Sequence, residues 1–519
     1  MRLTGIARAA ATMVAALALT AAAPSFAQSG RTTISVTPGA TGAKIDRRIF
    51  GQFAEHLGTG IYGGIWVGPD SSIPNTRGYR NDVLAALKAI KPPVVRWPGG
   101  CFADEYNWRE GIGPRSSRPV KINTHWGGVT EDNAFGTHEF MDFAELLGTE
   151  AYVSGNVGNG TPRETAEWVE YITAPAGSLA ELRKANGRAT PWKLPIWGIG
   201  NELWGCGGNM RPEYAADETR RFATFIKTPA GTKTLKIASG ANSTDYNWTE
   251  VMMREAGRNI DGLGVHYYTI GAAKWPPSKP STGFNAAEYA NILKDTLRME
   301  EIVSKHSAVM DKYDPEKRVI LAVDEWGTWY APTPGSNPGF LVQQNSIRDG
   351  LVAALNLNIF ARHADRVRMA NIAQMVNVLQ AMIFTDGSRM VLTPTYHVFR
   401  MYVPFQDATF VPVSYQPGEY REGEIVLPRI DAVAARGQDG NLYLSVSNLH
   451  ASEATEAEFG LGAAARSAAG ETLTAPAVDS INSFDRPNAV APKPADARVR
   501  GGKVIIKLPP RSVTVVRVN

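Results

Sequence analysis

Between residues 49 and 371 the chain alternates short apolar runs with longer amphipathic ones, and this alternation limits the fold more than any other feature. Strand-like runs occupy residues 49–55, 94–97, 150–154, 195–199, 235–239, 261–265, 318–323 and 366–371. Helical spacing fills the intervals at 81–90, 137–147, 162–172, 212–227, 286–306 and 342–363. Pro162 and Pro212 stand near two of the helix starts, where a missing N–H costs little. Eight strands separated by helices predict a closed (β/α)8 TIM barrel rather than an open doubly wound sheet. The open sheet of a dinucleotide-binding fold would carry G-x-G-x-x-G in a strand-to-helix turn, and no such turn occurs.

After about residue 404 the texture changes. Short alternating runs at 425–427, 442–446, 504–508 and 512–518 are separated by Gly, Pro and Asp, which predicts an all-β sandwich, jelly-roll-like in kind. Residues 32–37 alternate polar and apolar outside the barrel, so the segment 28–48 is expected to supply a strand to that β domain. The expected division is a leader at 1–27, the strand segment at 28–48, a catalytic barrel at 49–403 and a C-terminal sandwich at 404–519. The leader reading rests on Arg2 and Arg8, an Ala-rich run over 9–23, and Ser25-Phe26-Ala27, which places cleavage after Ala27 and the mature protein in the periplasm or medium, with no membrane association. With 54 basic and 50 acidic residues the charge is nearly balanced, which excludes a nucleic-acid or polybasic membrane partner. Cys101 and Cys206 are the only cysteines, enough for one disulfide and too few for a disulfide scaffold.

A TIM barrel carries its chemistry at the C-terminal ends of its strands. Reading those ends in turn gives Glu55 and His56; Arg96, Trp97 and Cys101; Asn156; Asn201 and Glu202; His266 and Tyr268; Glu325 and Trp326; and Gln374. Carboxylic acids, amides, aromatics and histidines replace the Lys, Ser and Gly of ordinary solvent-facing loops. Glu202 and Glu325 each follow an apolar strand, on strands four and seven, so opposite sides of the mouth can present two carboxylates across one sugar. Glycoside hydrolysis needs such a pair, one to protonate the leaving oxygen and one to attack the anomeric carbon or activate water. Glu202 then requires apolar surroundings or a neighbouring charge, with Trp204 and Glu325 as sources, and Glu325 requires donors, with Tyr268 and Arg96 as candidates. Either acid alone reads more readily as a salt-bridged or solvated barrel-end carboxylate; it is the pair, at matching strand ends, that points to catalysis. Asp324 is expected to point the other way along its strand and to be structural. Trp97, Trp126, Trp326 and Trp329 divide between core and sugar-binding mouth. No H-E-x-x-H or histidine cluster suggests a metal, and no cofactor is called for.

These residues resemble family 51 of the glycoside hydrolases, the α-L-arabinofuranosidases. The resemblance runs from about residue 35 to 518 and rests on Phe53-Ala54-Glu55-His56-Leu57-Gly58, Arg96-Trp97-Pro98-Gly99-Gly100-Cys101-Phe102, Gly200-Asn201-Glu202, Val265-His266-Tyr267-Tyr268, Asp324-Glu325-Trp326 and Ala370-Asn371-Ile372-Ala373-Gln374. It implies Glu202 as general acid/base, Glu325 as nucleophile and Asn201 as a contact to the sugar 2-hydroxyl. It further implies Glu55 and Gln374 as holders of arabinose hydroxyls, Tyr268 as a donor to the nucleophile, His266 and Arg96 as supporting residues, and Trp126 and Trp329 as aromatics near the aglycone. Cys101 stands where other members carry a sugar-contacting Asn. A bridge from Cys101 to Cys206 and two free thiols both remain open.

The function expected is that of a retaining, exo-acting α-L-arabinofuranosidase. Its partner would be an arabinose-containing polysaccharide or oligosaccharide of hemicellulose, with no metal, and a homo-oligomer is a candidate assembly. Another retaining glycosidase of the same clan, an endoglucanase or β-xylosidase, would use the same two carboxylates. A non-catalytic carbohydrate-binding protein is the reading from a different class.

Overall fold

The computed structural model describes residues 30–37, 39–272, 275–462 and 465–519; the leader expected at 1–27 lies outside them. Eight parallel strands close into a barrel in chain order. They are Gly51–Phe53, Val94–Trp97, Glu150–Gly155, Ile196–Ile199, Leu235–Asn242, Gly262–Thr269, Ile320–Thr328 and Val367–Ile372. Covered on both faces, these strands are mostly buried along their length rather than alternating, as IWGI in the fourth illustrates. The eighth strand returns to the first through the pair Asn371 and Gly51. A side chain at Gly51 would meet Asn371 and Val94 at 2.5 Å, so closure requires glycine there.

The helices start where caps dictate. Thr161 and Glu164 form a capping box ahead of Pro162–Thr173, with Pro162 in its first turn. The helix expected over 342–363 begins only at Ile347, because Ser346 and Asp349 form a capping box there and leave 342–346 as loop. The single helix expected over 286–306 is two, Ala286–Thr296 and Arg298–Asp311, parted at Leu297. Next to that break, Asp295 accepts the amides of Ile270 and Gly271 and ties the first helix's end to the loop after the sixth strand. Among the described residues no helix is long and apolar enough to cross a membrane.

A mixed sheet of five strands and an antiparallel sheet of six face each other in the C-terminal part. Their shared core includes Ile34, Phe459, Leu444, Ile506 and Val516. Arg31–Val36 is the second strand of the five-stranded sheet, parallel to Thr455–Gly460 and antiparallel to Val413–Tyr415. The barrel helix Ile347–Arg362 is buried almost throughout and packs on Ile430–Arg436 and Ser512–Val518. Its Asn358 donates to Asp431, so barrel and sandwich share one core. This backing leaves the C-terminal ends of the strands as the open face.

Candidate active site

Glu202 and Glu325 meet at that open face. One carboxylate oxygen of each, together with a ring nitrogen of His266, lies within 4.8 Å of the others. The surroundings of the two acids differ. Glu325 has a side chain only 6% exposed and accepts from Arg96 Nη1 at 2.6 Å and from Tyr268 Oη at 2.8 Å, with His266 Nδ1 at 3.5 Å. Glu202 is 18% exposed; its Oε1 takes His266 Nδ1 at 2.9 Å. Its Oε2 lies 3.6 Å from Cys206 Sγ. That sulfur is half of a disulfide with Cys101, whose Cα atoms are 5.5 Å apart, and so has no hydrogen to give. Burial, reinforced by the charge of Glu325, pushes the Glu202 carboxyl above its ordinary range, against the pull of His266.

His266 is the hinge of the electrostatics. Burial alone would strip its proton, but the charge of Glu325 and the bonds to Asp324 and Glu202 outweigh it and hold the imidazolium up to about 10. Its Nε2 lies 3.3 Å from Asp324 Oδ1. Asp324 was expected to face away from Glu325, as alternate residues of a strand do. Instead both reach His266, and Asp324 also accepts from Tyr152 Oη at 2.8 Å. The cause is irregular register: the sixth and seventh strands shift between Gly264 and His266, and the seventh and eighth between Val323 and Trp326.

Arg96 is buried behind the carboxylates, and its second nitrogen, Nη2, donates to Asn201 Oδ1 at 2.6 Å. One guanidinium thus links the Glu325 wall to the Glu202 wall. Glu55 forms the floor. It accepts from Trp126 Nε1 at 2.8 Å, the Phe102 amide at 3.2 Å and Gln374 Nε2 at 3.0 Å. Burial, then the charge of Glu325, pushes its carboxyl up to about 8. A side chain on Gly100 would stand 2.3 Å from Glu55, so only glycine lets the chain pass over this floor.

Glu55, Cys101, Trp126, Glu202, Tyr268, Glu325, Trp329 and Gln374 line one small cavity of about 40 Å³, closed on its apolar side by Leu57, Leu341 and Leu379. It opens into a cleft of about 530 Å³ that adds His266, Trp204, Asn242, Trp275 and Arg298. Gln374 Oε1 is buried without a partner among the described residues. The four tryptophans divide evenly. Trp126 and Trp329 line the mouth, whereas Trp97 and Trp326 are fully buried, stacked on Phe140 and Phe399. His56 and Asn156 do not join the cavity: His56 bonds Glu131 and Trp97, and Asn156 caps its own loop at Asn159 and Gly160. A second cavity, about 590 Å³ and lined in part by Lys88, Lys91 and Glu150, lies at the opposite, N-terminal end of the barrel.

Sequence reading missed Trp275, Arg298 and Asp104. The first two sit on loop and helix remote from any strand end. Asp104 hides inside the Cys101–Glu105 turn, where it accepts three backbone amides. Burial pushes its carboxyl up to about 7 against the pull of those amides. A carboxylate spaced a few residues past a strand end has no pattern that distinguishes it from surface acids.

Two family models match the chain, the "Alpha-L-arabinofuranosidase 1 domain" over residues 86–274 and the "Alpha-L-arabinofuranosidase C-terminal domain" over residues 324–512. The intracellular exo-alpha-L-arabinofuranosidase of Bacteroides ovatus is 48% identical over 515 residues, covering 98% of this chain and all of the relative. Alpha-L-arabinofuranosidase C of Emericella nidulans is 33% identical over 82% of this chain and 86% of its own length. The crystal structure of the GH51 arabinofuranosidase from Xanthomonas axonopodis pv. citri superposes with a TM-score of 0.93 at 58% identity, over 94% of this chain and all of that one.

The Bacteroides relative corrects one expectation. Export to the periplasm or medium was read from the N-terminal composition, yet a relative that aligns over 98% of the chain is named as intracellular. A basic start and an Ala-rich run describe composition alone. Each alanine adds a single methyl group, and such a run is also an ordinary helix-forming sequence.

Proposed function

The chain belongs to the α-L-arabinofuranosidases of family 51 of the glycoside hydrolases, and from that premise we propose that it removes terminal α-L-arabinofuranosyl residues from arabinan- and arabinoxylan-type chains with retention of configuration. The observation that carries the reading is the pair of carboxylates within 4.8 Å of each other above a cavity of about 40 Å³. Retaining sites hold their carboxyl groups about 5–5.5 Å apart, whereas inverting sites leave roughly 6.5–9.5 Å for a water. A small pocket that widens into a larger cleft suits an enzyme that takes one terminal residue and leaves the rest of the chain outside.

In this reading Glu325 attacks C1 of the arabinofuranose as the bond from C1 to the leaving oxygen breaks, and Glu202 passes its proton to that oxygen. The resulting ester is opened by water, whose proton returns to Glu202. Arg96 and Tyr268 hold and aim Glu325. The His266 imidazolium touches both acids and offsets whichever is charged. Glu202 Oε2, on which none of the described residues places a hydrogen, is the oxygen that serves the glycosidic bond. Asn201 Oδ1 is taken by Arg96 and its Nδ2 lies 3.7 Å from Cys206 Sγ, which leaves the second Nδ2 hydrogen to donate to the 2-hydroxyl. Glu55 and Gln374, with its free Oε1, receive hydroxyls on the far side of the ring. Cys101 contributes its disulfide as a wall, in place of a polar contact. Trp126 and Trp329 flank the exit to the aglycone cleft.

Arabinan and arabinoxylan digested by the protein should release arabinose, with the α-anomer appearing first by proton NMR. Initial appearance of the β-anomer would replace the double displacement by an inverting route, and release of longer oligosaccharides would favour an endo-acting enzyme.

A further inference from the structure

The backbone at the acid/base cannot hold its shape unaided. Gly200 has φ 75° and Glu202 φ 41°, and a glutamate in the left-handed region is disfavoured. The Gly200–Glu202 turn is therefore kept by what binds its amides. Gly200 N donates to Gly155 O at 3.2 Å, at the end of the neighbouring strand. The next amide, Asn201 N, donates to Asp104 Oδ2 at 3.0 Å. The other oxygen, Asp104 Oδ1, accepts Val157 N at 3.2 Å and Gly158 N at 3.1 Å, and the Asp104 carbonyl accepts Asn159 N at 3.1 Å. Asp104 is only 3% exposed, so these bonds are made away from water.

One carboxylate thus grips the exits of three consecutive barrel strands: its own after the second, Val157 and Gly158 after the third, and Asn201 after the fourth. The same short turn carries Cys101, bridged to Cys206. The loop bearing Glu202 is therefore held at two points, by a bond to its start and a covalent tie beyond it. Packing at the first point leaves no slack, since a side chain on Gly207 would come within 2.9 Å of Asp104 Oδ2 and 2.1 Å of Asn201 O. Asp104 does not itself line the arabinose cavity.

We propose that Asp104 is a positioning residue for the acid/base: it fixes the Asn201–Glu202 turn so that the Glu202 carboxyl reaches the departing oxygen. The proposal rests on Glu202 being the acid/base. Substitution by Asn sharpens it. An amide offers one acceptor oxygen and sets an NH2 on the other side. Keeping the oxygen on Val157 and Gly158 preserves two bonds and turns donor against donor at Asn201 N. The lesion then falls on the turn and spares the nucleophile.

Misplacing the acid has a signature that general damage lacks. A leaving group that departs as a stable anion needs no proton, so its glycoside is spared. Asp104→Asn and Asp104→Ser should each lose about 10²-fold in kcat/KM on arabino-oligosaccharides and less than about fivefold on 2,4-dinitrophenyl α-L-arabinofuranoside. Azide, an anionic nucleophile that needs no general base, should speed turnover of the activated substrate. The burst of dinitrophenolate should still count one nucleophile per protein molecule. Glu202→Ala measured alongside separates the two layers of argument. If Glu202→Ala lacks the signature, the acid/base reading fails. If it shows the signature while both Asp104 variants lose equally on the two substrates, lose nothing, or give no burst, Asp104 does not position Glu202.

Discussion

The two walls of the barrel mouth carry the same side chain in opposite settings. On the strand-seven wall, Glu325 is almost fully buried and held by Arg96 and Tyr268, with His266 close by. On the strand-four wall, Glu202 sits in a left-handed turn, three times as exposed, with His266 as its donor and its second oxygen beside the Cys101–Cys206 disulfide. In the proposed mechanism these settings suit one carboxyl to attack and the other to carry the proton. The division of labour comes from the donors, since two glutamates with equal surroundings would share one proton and neither would specialise.

The largest test of this contrast is removal of the anion. Glu325→Ala should lower kcat by about 10⁴-fold or more on every substrate, activated or not, because no other group can form the ester. A variant with wild-type turnover of a nitrophenyl arabinofuranoside would break the comparison outright.

Removal of the proton carrier should be selective. Glu202→Ala is expected to lose about 10²- to 10⁴-fold with sugar leaving groups and little with dinitrophenolate in the first step. In the wild type kcat/KM should fall as pH rises through the raised Glu202 value, because the ionised form has no proton to give. That alkaline limb should vanish in Glu202→Ala with the activated substrate. Equal losses across leaving groups would mean that the two walls do the same job.

A smaller effect tests the donors themselves. Tyr268→Phe deletes one bond to a charged acceptor, worth about 1.5–3 kcal/mol, and kcat/KM should drop by about 10- to 100-fold. A drop confined to KM would place Tyr268 with the sugar instead of the nucleophile.

The smallest effect is on stability. The His266 imidazolium keeps its proton to about 10 in the fold, whereas in the unfolded chain histidine releases it near 6.5. Its contribution is therefore whole below about pH 6.5 and drains as pH climbs towards 10. The Tm of the wild type should decline over that window, and His266→Gln should flatten the decline. A variant that follows the wild-type curve would show that the two acids do not lean on this charge.

Much of the molecule is legible along the chain. Eight apolar runs with helical intervals dictate a barrel, and in a barrel the residue after each run must face the mouth, which brings Glu55, Glu202, Glu325 and Gln374 together. Helix limits at 81–90 and 137–147 are likewise local, written in amphipathic spacing. Where periodicity ran past a cap, as at Ser346, the expected helix was too long.

What the sequence determined is whatever depends on neighbours within a few residues: the strand and helix periods, and with them the barrel and its paired acids. The tertiary structure alone decided which partners those acids meet. Strict alternation would turn Asp324 away from His266, but two register shifts between strands bring it alongside Glu325. Nothing in the order of residues separates Trp326 in the core from Trp329 in the mouth, or marks Asp104 as the clasp on Asn201. Such contacts join segments about a hundred residues apart, and their geometry is set only when all eight strands close on one another.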